Sequence, residues 1–362
     1  MSKKQARRKG QQSSAPKRAA SRIVIFCPLP QHPFGHRAVA CFRALESLGH
    51  DVRLVADPTA ETIDEGDVFY IQGPASLREH SFGEWAAKRG KQLVLDVPVD
   101  VSGYLYWGAA DEGFTQALRT TRALMTQAHT VCAPSDAVAK QLSAFSDSLA
   151  VVPELADLAV WEHAPWRLAR AQTGLGEDEI VIGWAGSDRG ALTRLTGVLR
   201  EVLDSEPRAR LMLVGPGEPL EGLAEDRQLV AQPQRMAERL ASTLSADIAI
   251  CESPAALRGR TAPLQPVLSW AMAKAAIVAE PAPPYEELAS AGLPMLMAAD
   301  EDEMASHLAT LVGDEAKRSA MADEAAEHVA AKLSVQANAK LWEAPFRRLK
   351  GVTLAARMEQ RG

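Results

Sequence analysis

The sequence predicts an α/β protein built from two successive parallel-sheet domains that face each other across a cleft. Three observations predict it. Short apolar runs alternate with helical stretches from residue 22 to about residue 340, and a polar segment at 161–178 interrupts the alternation once. The chain has 362 residues, the length of about two ordinary domains. Aromatic residues make up only 5% and alanine is abundant, which suits helices packed on sheets better than a β-sandwich.

The first series opens with RIVIFCP, an apolar run that ends at Pro28, as a buried parallel strand does. HRAVACFRALESLGH follows, with Val39, Phe42, Leu45 and Leu48 at helical spacing and Gly49 as a terminator. DVRLVAD returns as a strand, so residues 22–57 read β-α-β. The rhythm continues through the strand DVFYIQG, a helix at 77–89, the strand QLVLDVP, a helix at 111–127 and the strand HTVCAPS. Ser135 caps the next helix, and LAVVPE is the last strand. These elements set a first domain at 22–160.

Residues 161–178 form the linker, and a second domain spans 179–340. Its strands are IVIGWAGS, RLMLVGPG, the weaker QLVAQP, ADIAICE, AAIVAE and LPMLMAA. Helices are expected at about 190–204, 234–243, 262–274 and 284–291, then at 301–312, 314–332 and 334–350. Residues 341–362 form a C-terminal helix and tail that either packs back on the first domain or stays at the surface. Two such halves make two Rossmann-like domains.

Composition narrows the class of function. Residues 1–21 form a polar tail expected to be disordered. The stretch to Arg22 holds eight basic residues and no acid, so the formal charge of −6 leaves −14 on the remainder. An acidic body argues against a nucleic-acid partner. The tail reads as a solubilising leader or as a tether to an anionic membrane surface. Cys27, Cys41, Cys132 and Cys251 are scattered, with no metal-ligand spacing, and read as reduced core thiols. No apolar run is long enough to span a bilayer. The expected location is cytoplasmic, with the inner face of the membrane as a peripheral site.

Open parallel sheets bind ligands beyond the carboxyl ends of their strands, so the loops after strands hold the candidates. The first such loop leads to His36 at a helix start, where backbone N–H groups can donate to an anionic or sugar group. Asp96 ends the fourth strand and suits a base or a partner for acceptor hydroxyls. In the second half, Gly186, Ser187 and Arg189 follow the first strand, and Gly215 and Gly217 follow the second. Arg258 and Arg260 precede Thr261, a helix-capping position, in an arrangement suited to a diphosphate. Each of these loops also reads as an ordinary turn or a solvated surface.

In their order along the chain, HTVCAPSDAVAKQL, VVPELADLAVW, IGWAGS and APLQPVLSWAMAKAAIVAEPAPPYEEL resemble segments of the family-four glycosyltransferases of the GT-B fold, over roughly residues 22–340. The resemblance implies transfer of a sugar from a nucleotide-sugar to an acceptor, with retention and without a metal or other cofactor. The nucleotide-sugar is then a co-substrate on the second domain, and the acceptor (a glycan, a protein or a lipid) lies on the first. It further implies that Gly186, Ser187 and Arg189 lie near the diphosphate, Gly215 and Gly217 near the base, and Arg258, Arg260 and Tyr285 beside the diphosphate and sugar.

The sequence also departs from the family. Two glutamates usually stand eight positions apart, and the second grips the ribose. Here the two positions are Thr261 and Ser269. The usual turn glycine is Lys274 and the hinge asparagine is Glu154. Three functions therefore stand side by side: a glycosyltransferase that holds its donor differently, a catalytically silent GT-B scaffold or binding protein, and another GT-B-like enzyme, such as a nucleotide-sugar epimerase or hydrolase, that acts on the donor without an acceptor.

Overall fold

The computed structural model describes residues 21–27, 36–73, 76–97, 112–162, 164, 168–186, 189–233, 235–252 and 264–349. The first sheet holds six parallel strands: β1 (Ile23–Phe26), β2 (Val52–Val55), β3 (Val68–Gln72), β4 (Gln92–Asp96), β5 (Thr130–Ala133) and β6 (Leu149–Val151). Their order is β2-β1-β3-β4-β5-β6. The helices between them are α1 (His36–Ser47), α2 (Ala60–Glu65), α3 (Leu77–Lys88), α4 (Glu112–Gln127) and α5 (Asp136–Leu142). β1 and β5 are buried along their whole length, and β3 all but its last residue, because helices cover both faces of the sheet. The short α2 has no counterpart in the apolar pattern; it forms on a capping box in which Thr59 and Thr62 bond each other's backbone N–H.

Two short helices, α6 (Leu158–Glu162) and α7 (Ala169–Thr173), lead to the second sheet. Its strands are β7 (Ile180–Ala185), β8 (Ala209–Val214), β9 (Gln228–Ala231), β10 (Ile248–Cys251), β11 (Ala276–Ala279) and β12 (Leu296–Met297). They are parallel, in the order β12-β11-β10-β7-β8-β9. The strand order reverses between β7 and β10, which makes their carboxyl ends the switch point where such sheets open a crevice. The helices are α8 (Gly190–Thr193), α9 (Thr196–Ser205), α10 (Met236–Leu244), α11 (Leu264–Met272), α12 (Pro283–Ser290), α13 (Glu301–Gly313) and α14 (Glu315–Lys332). Among the described residues no helix is long and apolar enough to cross a membrane.

The end of the chain corrects one expectation. In place of a helix over 334–350 there are α15 (Val335–Asn338), a 3₁₀ turn (Ala339–Glu343) and α16 (Ala344–Arg347). Pro345 lacks an N–H and its ring excludes the carbonyl four residues back, so it can only start the last helix. The expected second-domain limit at 340 also moves. Val335, Ala339, Trp342, Phe346 and Leu349 pack in the core of the first sheet, with Ile23, Ala44, Tyr70 and Cys132. The chain crosses back at Ser334. There the returning segment pairs with the outgoing one: Ala156 N–H donates to Leu333 O at 2.9 Å and Val335 N–H to Ala156 O at 2.8 Å.

Candidate functional site

A cleft with about 580 Å³ of empty space, open to solvent, lies beside this crossing. His36 and Ala40 of α1 and the segment from Glu154 to Asp157 form one wall; Arg239 and Thr243 of α10 with Gln265 and Ser269 of α11 form the other.

The first-domain wall is organised by Arg37. Its position on α1 matches the buried face that Cys41, Ala44 and Leu45 line, and the residue is 1% exposed. Its Nε donates to Asp96 Oδ2 at 2.7 Å and its Nη2 to Asp96 Oδ1 at 2.9 Å, a bidentate pair. Nη2 also donates to Val152 O at 3.0 Å, and Nη1 lies 3.3 Å from Glu154 Oε1. The Trp342 ring covers the guanidinium at 5.1 Å. Burial works against this charge, but Asp96 and Glu154 outweigh it and hold the arginine well above its ordinary pKa.

This arrangement corrects the expectation for Asp96. The residue is 0% exposed, and its carboxylate takes both Arg37 bonds and the Tyr70 hydroxyl at 2.7 Å. Both oxygens are engaged, so Asp96 anchors the end of β4 and does not serve as a base in the cleft. His36 is the expected residue that does reach the cleft. Its Nε2 lies 3.1 Å from Glu154 Oε2. Burial pushes the Glu154 carboxyl up, yet Arg37 and His36 overcome that and hold it at about 2. An ionised carboxylate only accepts, so Glu154 receives its bond from Nε2–H of His36. Below it, Arg43 pairs with Asp157, whose Oδ1 also accepts from Gln336 Nε2 at 3.3 Å, so α1 holds both crossing segments.

On the second wall, Ser269 lines the cleft. Lys274 closes the helix that carries Ser269. It adopts φ 58°, the left-handed conformation, while Ala275 N–H reaches Trp270 O at 3.0 Å and Lys274 N–H reaches Ala271 O at 3.0 Å. These are the bonds of a helix ending that normally uses glycine. Ser269 Oγ accepts from Gln265 Nε2 at 2.6 Å, and Gln265 Oε1 accepts from Arg239 Nη2 at 2.9 Å.

At the switch point of the second sheet, Trp184 Nε1 donates to Glu252 Oε2 at 2.6 Å, bridging the ends of β7 and β10. Burial raises the Glu252 carboxyl to about 7, and nearby Glu280 adds to the shift against Trp184 and Arg194. Arg194 pairs with Glu280 at the end of β11. Arg189 lies along the loop after β8: Nε donates to Pro216 O at 3.1 Å and Nη2 to Gly215 O at 3.1 Å, with the Trp184 ring 5.7 Å away. Gly186 and Gly215 are fixed by close approach. A Cβ on Gly215 would stand 2.0 Å from Gly186 O, and one on Gly186 2.3 Å from the Trp184 ring. The exposed Gly217 has φ 115° and its carbonyl accepts from Gln232 at 3.3 Å. Tyr285 corrects another expectation. It is 2% exposed and packs in the core of the second domain, and burial pushes its phenol well up, so its ring does not flank a bound sugar. Ser187, Arg258, Arg260 and Thr261 lie outside the described residues.

Arg37, Arg239, Gln265, Glu252 and Arg194 were not singled out by sequence reasoning. For Arg37 the signal was present in the helical spacing Arg37, Cys41, Ala44, Leu45, which sets an arginine on an apolar face. Arg239 has no such signature.

Two six-stranded parallel sheets joined by a double crossing, with a cleft between them, define a protein of the GT-B fold. Solved structures agree over nearly the whole chain. Sucrose-phosphate synthase from Thermosynechococcus elongatus is 14% identical, over 91% of this chain and 98% of that one, with a TM-score of 0.61. Anabaena HepE, solved in complex with UDP-glucose, is 16% identical over 91% of this chain and 100% of that one, with a TM-score of 0.62. WaaG, a glycosyltransferase involved in lipopolysaccharide biosynthesis, is 12% identical over 89% of this chain and 99% of that one, with a TM-score of 0.61. At these identities the likeness is one of fold. No protein-family model matches the sequence, and no curated protein does.

Proposed function

We propose that the protein is a glycosyltransferase that takes a sugar from a nucleotide-sugar on its second domain and passes it to an acceptor on its first, with retention and without a metal. The observation that carries this reading is the cleft itself, in which His36 and Glu154 of one domain face Ser269, Gln265 and Arg239 of the other. The UDP-glucose held by HepE, a protein of the same fold, supports a nucleotide-sugar as the ligand class. On this reading Arg189 and Arg194, at the carboxyl ends of β7 and β11, stabilise the departing diphosphate together with Arg258 and Arg260. His36, tethered to Glu154 on the first-domain wall, lies on the acceptor side of the cleft and orients an acceptor hydroxyl there.

The test is thermal-shift binding against UDP-, GDP-, CMP- and dTDP-sugars. A ligand at a hundred times its Kd stabilises by about 2.7 kcal/mol, a clear shift in Tm. The expected result is saturable stabilisation by one donor class, followed by sugar transfer to an added acceptor. One observation favours the silent scaffold: a serine stands where the ribose is usually gripped by a carboxylate, and its oxygen already accepts from Gln265. A flat response from folded protein across the whole panel decides for that reading.

A further inference from the structure

The wall formed by α10 and α11 presents hydrogen-bond donors where a carboxylate would have presented acceptors. Arg37 and Arg43 each have a carboxylate partner, in Asp96 and Asp157. Arg239 is half-buried in the cleft, and among the described residues no carboxylate pairs with it. Its one side-chain hydrogen bond there is to Gln265 Oε1. Burial lowers its pKa with no opposing anion. The Gln265 amide is oriented by that bond, so its Nε2 must point to Ser269 Oγ. Having accepted there, the serine hydroxyl keeps its own proton to give. The two carboxylates on the opposite wall are already engaged, Glu154 by Arg37 and His36 and Asp157 by Arg43. Among the described residues, the cleft therefore holds a guanidinium and a hydroxyl donor that no carboxylate receives.

We propose that Arg239 and Ser269 form a binding site for a phosphate group in the cleft beside the domain crossing. A phosphate offers tetrahedral acceptor oxygens to both donors and supplies the charge that Arg239 lacks. The identity of the molecule carrying the phosphate rests on the glycosyltransferase reading: it is either the nucleotide donor or a phosphorylated sugar acceptor. Phosphate binding as such does not depend on that reading.

The probe is inorganic phosphate, titrated by calorimetry into the full chain at constant ionic strength. Wild type is expected to bind one equivalent saturably. Arg239→Gln is expected to weaken it roughly tenfold to a hundredfold, the loss of one charge-assisted hydrogen bond. Ser269→Glu is expected to abolish it, since the new carboxylate pairs with Arg239, and this variant keeps the test decisive if Arg239→Gln does not fold. Arg200→Gln, an exposed change on α9, is expected to bind as wild type does. Displacement of phosphate by UDP assigns the site to the donor, and displacement by glucose 6-phosphate alone assigns it to the acceptor. Absence of saturable binding by folded wild type, or binding that both variants retain, overturns the proposal. The two readings fail separately. Phosphate binding with a flat nucleotide-sugar panel sinks the glycosyltransferase, and a nucleotide-sugar response without phosphate binding sinks the phosphate site.

Discussion

Arg37 and Asp96 form a closed bidentate pair, 2.7 and 2.9 Å, in which neither side chain is more than 1% exposed. Two charges so deeply buried are tolerated only because each is surrounded by partners: Tyr70 on the carboxylate, and Val152 O and Glu154 on the guanidinium. Removing one partner strands the others. Arg37→Met should cost on the order of 3–5 kcal/mol of stability, since it leaves Asp96 uncompensated in the core. Urea denaturation checks this; a loss below about 1 kcal/mol would show the pair to be dispensable.

Glu154 makes acid stability a property of the cleft. Its carboxyl is held at about 2 in the fold, against an ordinary value of 4.5. A depressed carboxyl contributes stability that is present above 4.5 and lost as pH falls toward 2, here on the order of 3 kcal/mol. Denaturation curves between pH 5 and pH 2 should show this fall, and Glu154→Gln should flatten it.

Glu252 works in the opposite sense. Burial holds its carboxyl at about 7, so the folded chain retains a proton that the unfolded chain releases near 4.5. Stability from this group therefore declines as pH rises from about 4.5 through 7. Glu252→Gln should stabilise the protein above pH 7 by about 1–3 kcal/mol and do little below pH 4.5, as thermal melts across that range will show.

Lys274 occupies the left-handed region, which costs an ordinary residue roughly 1–2 kcal/mol. Lys274→Gly relieves that cost but adds backbone freedom and removes an exposed ion pair to Asp323. The net expectation is a gain of about 0.5 kcal/mol, read as a small rise in the denaturation midpoint. A destabilised variant would mean that the ion pair outweighs the backbone.

Gly215→Ala is expected to destabilise by about 1–3 kcal/mol, because the residue has φ 137° and its new Cβ meets Gly186 O. The same change should weaken any ligand held at the switch point, since the two glycine loops cannot keep their present contact. Parallel melts with and without ligand separate the two effects.

The fold was legible because each strand of both sheets is a short apolar run between polar breaks, a pattern that survives without any long-range information. The candidate site was legible only where chemistry sits at a predictable place, as with His36 at a helix start and Ser269 in a recognisable helix. Asp96 was seen but misassigned: the end of a strand marks where a carboxylate is, while the arginine that neutralises it comes from another element. Tyr285 was misplaced for a similar reason, since an aromatic residue in a loop phrase turned out to start a helix and face inward. Arg239 escaped notice because a lone arginine on a polar helix becomes informative only when the surrounding carboxylates can be counted in space. Where the last helix packs is likewise a tertiary fact, decided by Trp342 and Phe346 finding Tyr70.

The return of residues 335–349 to the first core has a consequence for the order of assembly. Tyr70, Cys132 and Arg37 are made early, but the aromatic residues that cover them come only after the whole second sheet has been synthesised. The residues of the second core are all synthesised by Leu333, before Trp342 and Phe346 of the first core, so the usual N-terminal-first order of domain completion does not apply to this chain. A chain cut before Trp342 is expected to leave the apolar surface around Tyr70 uncovered and prone to aggregation.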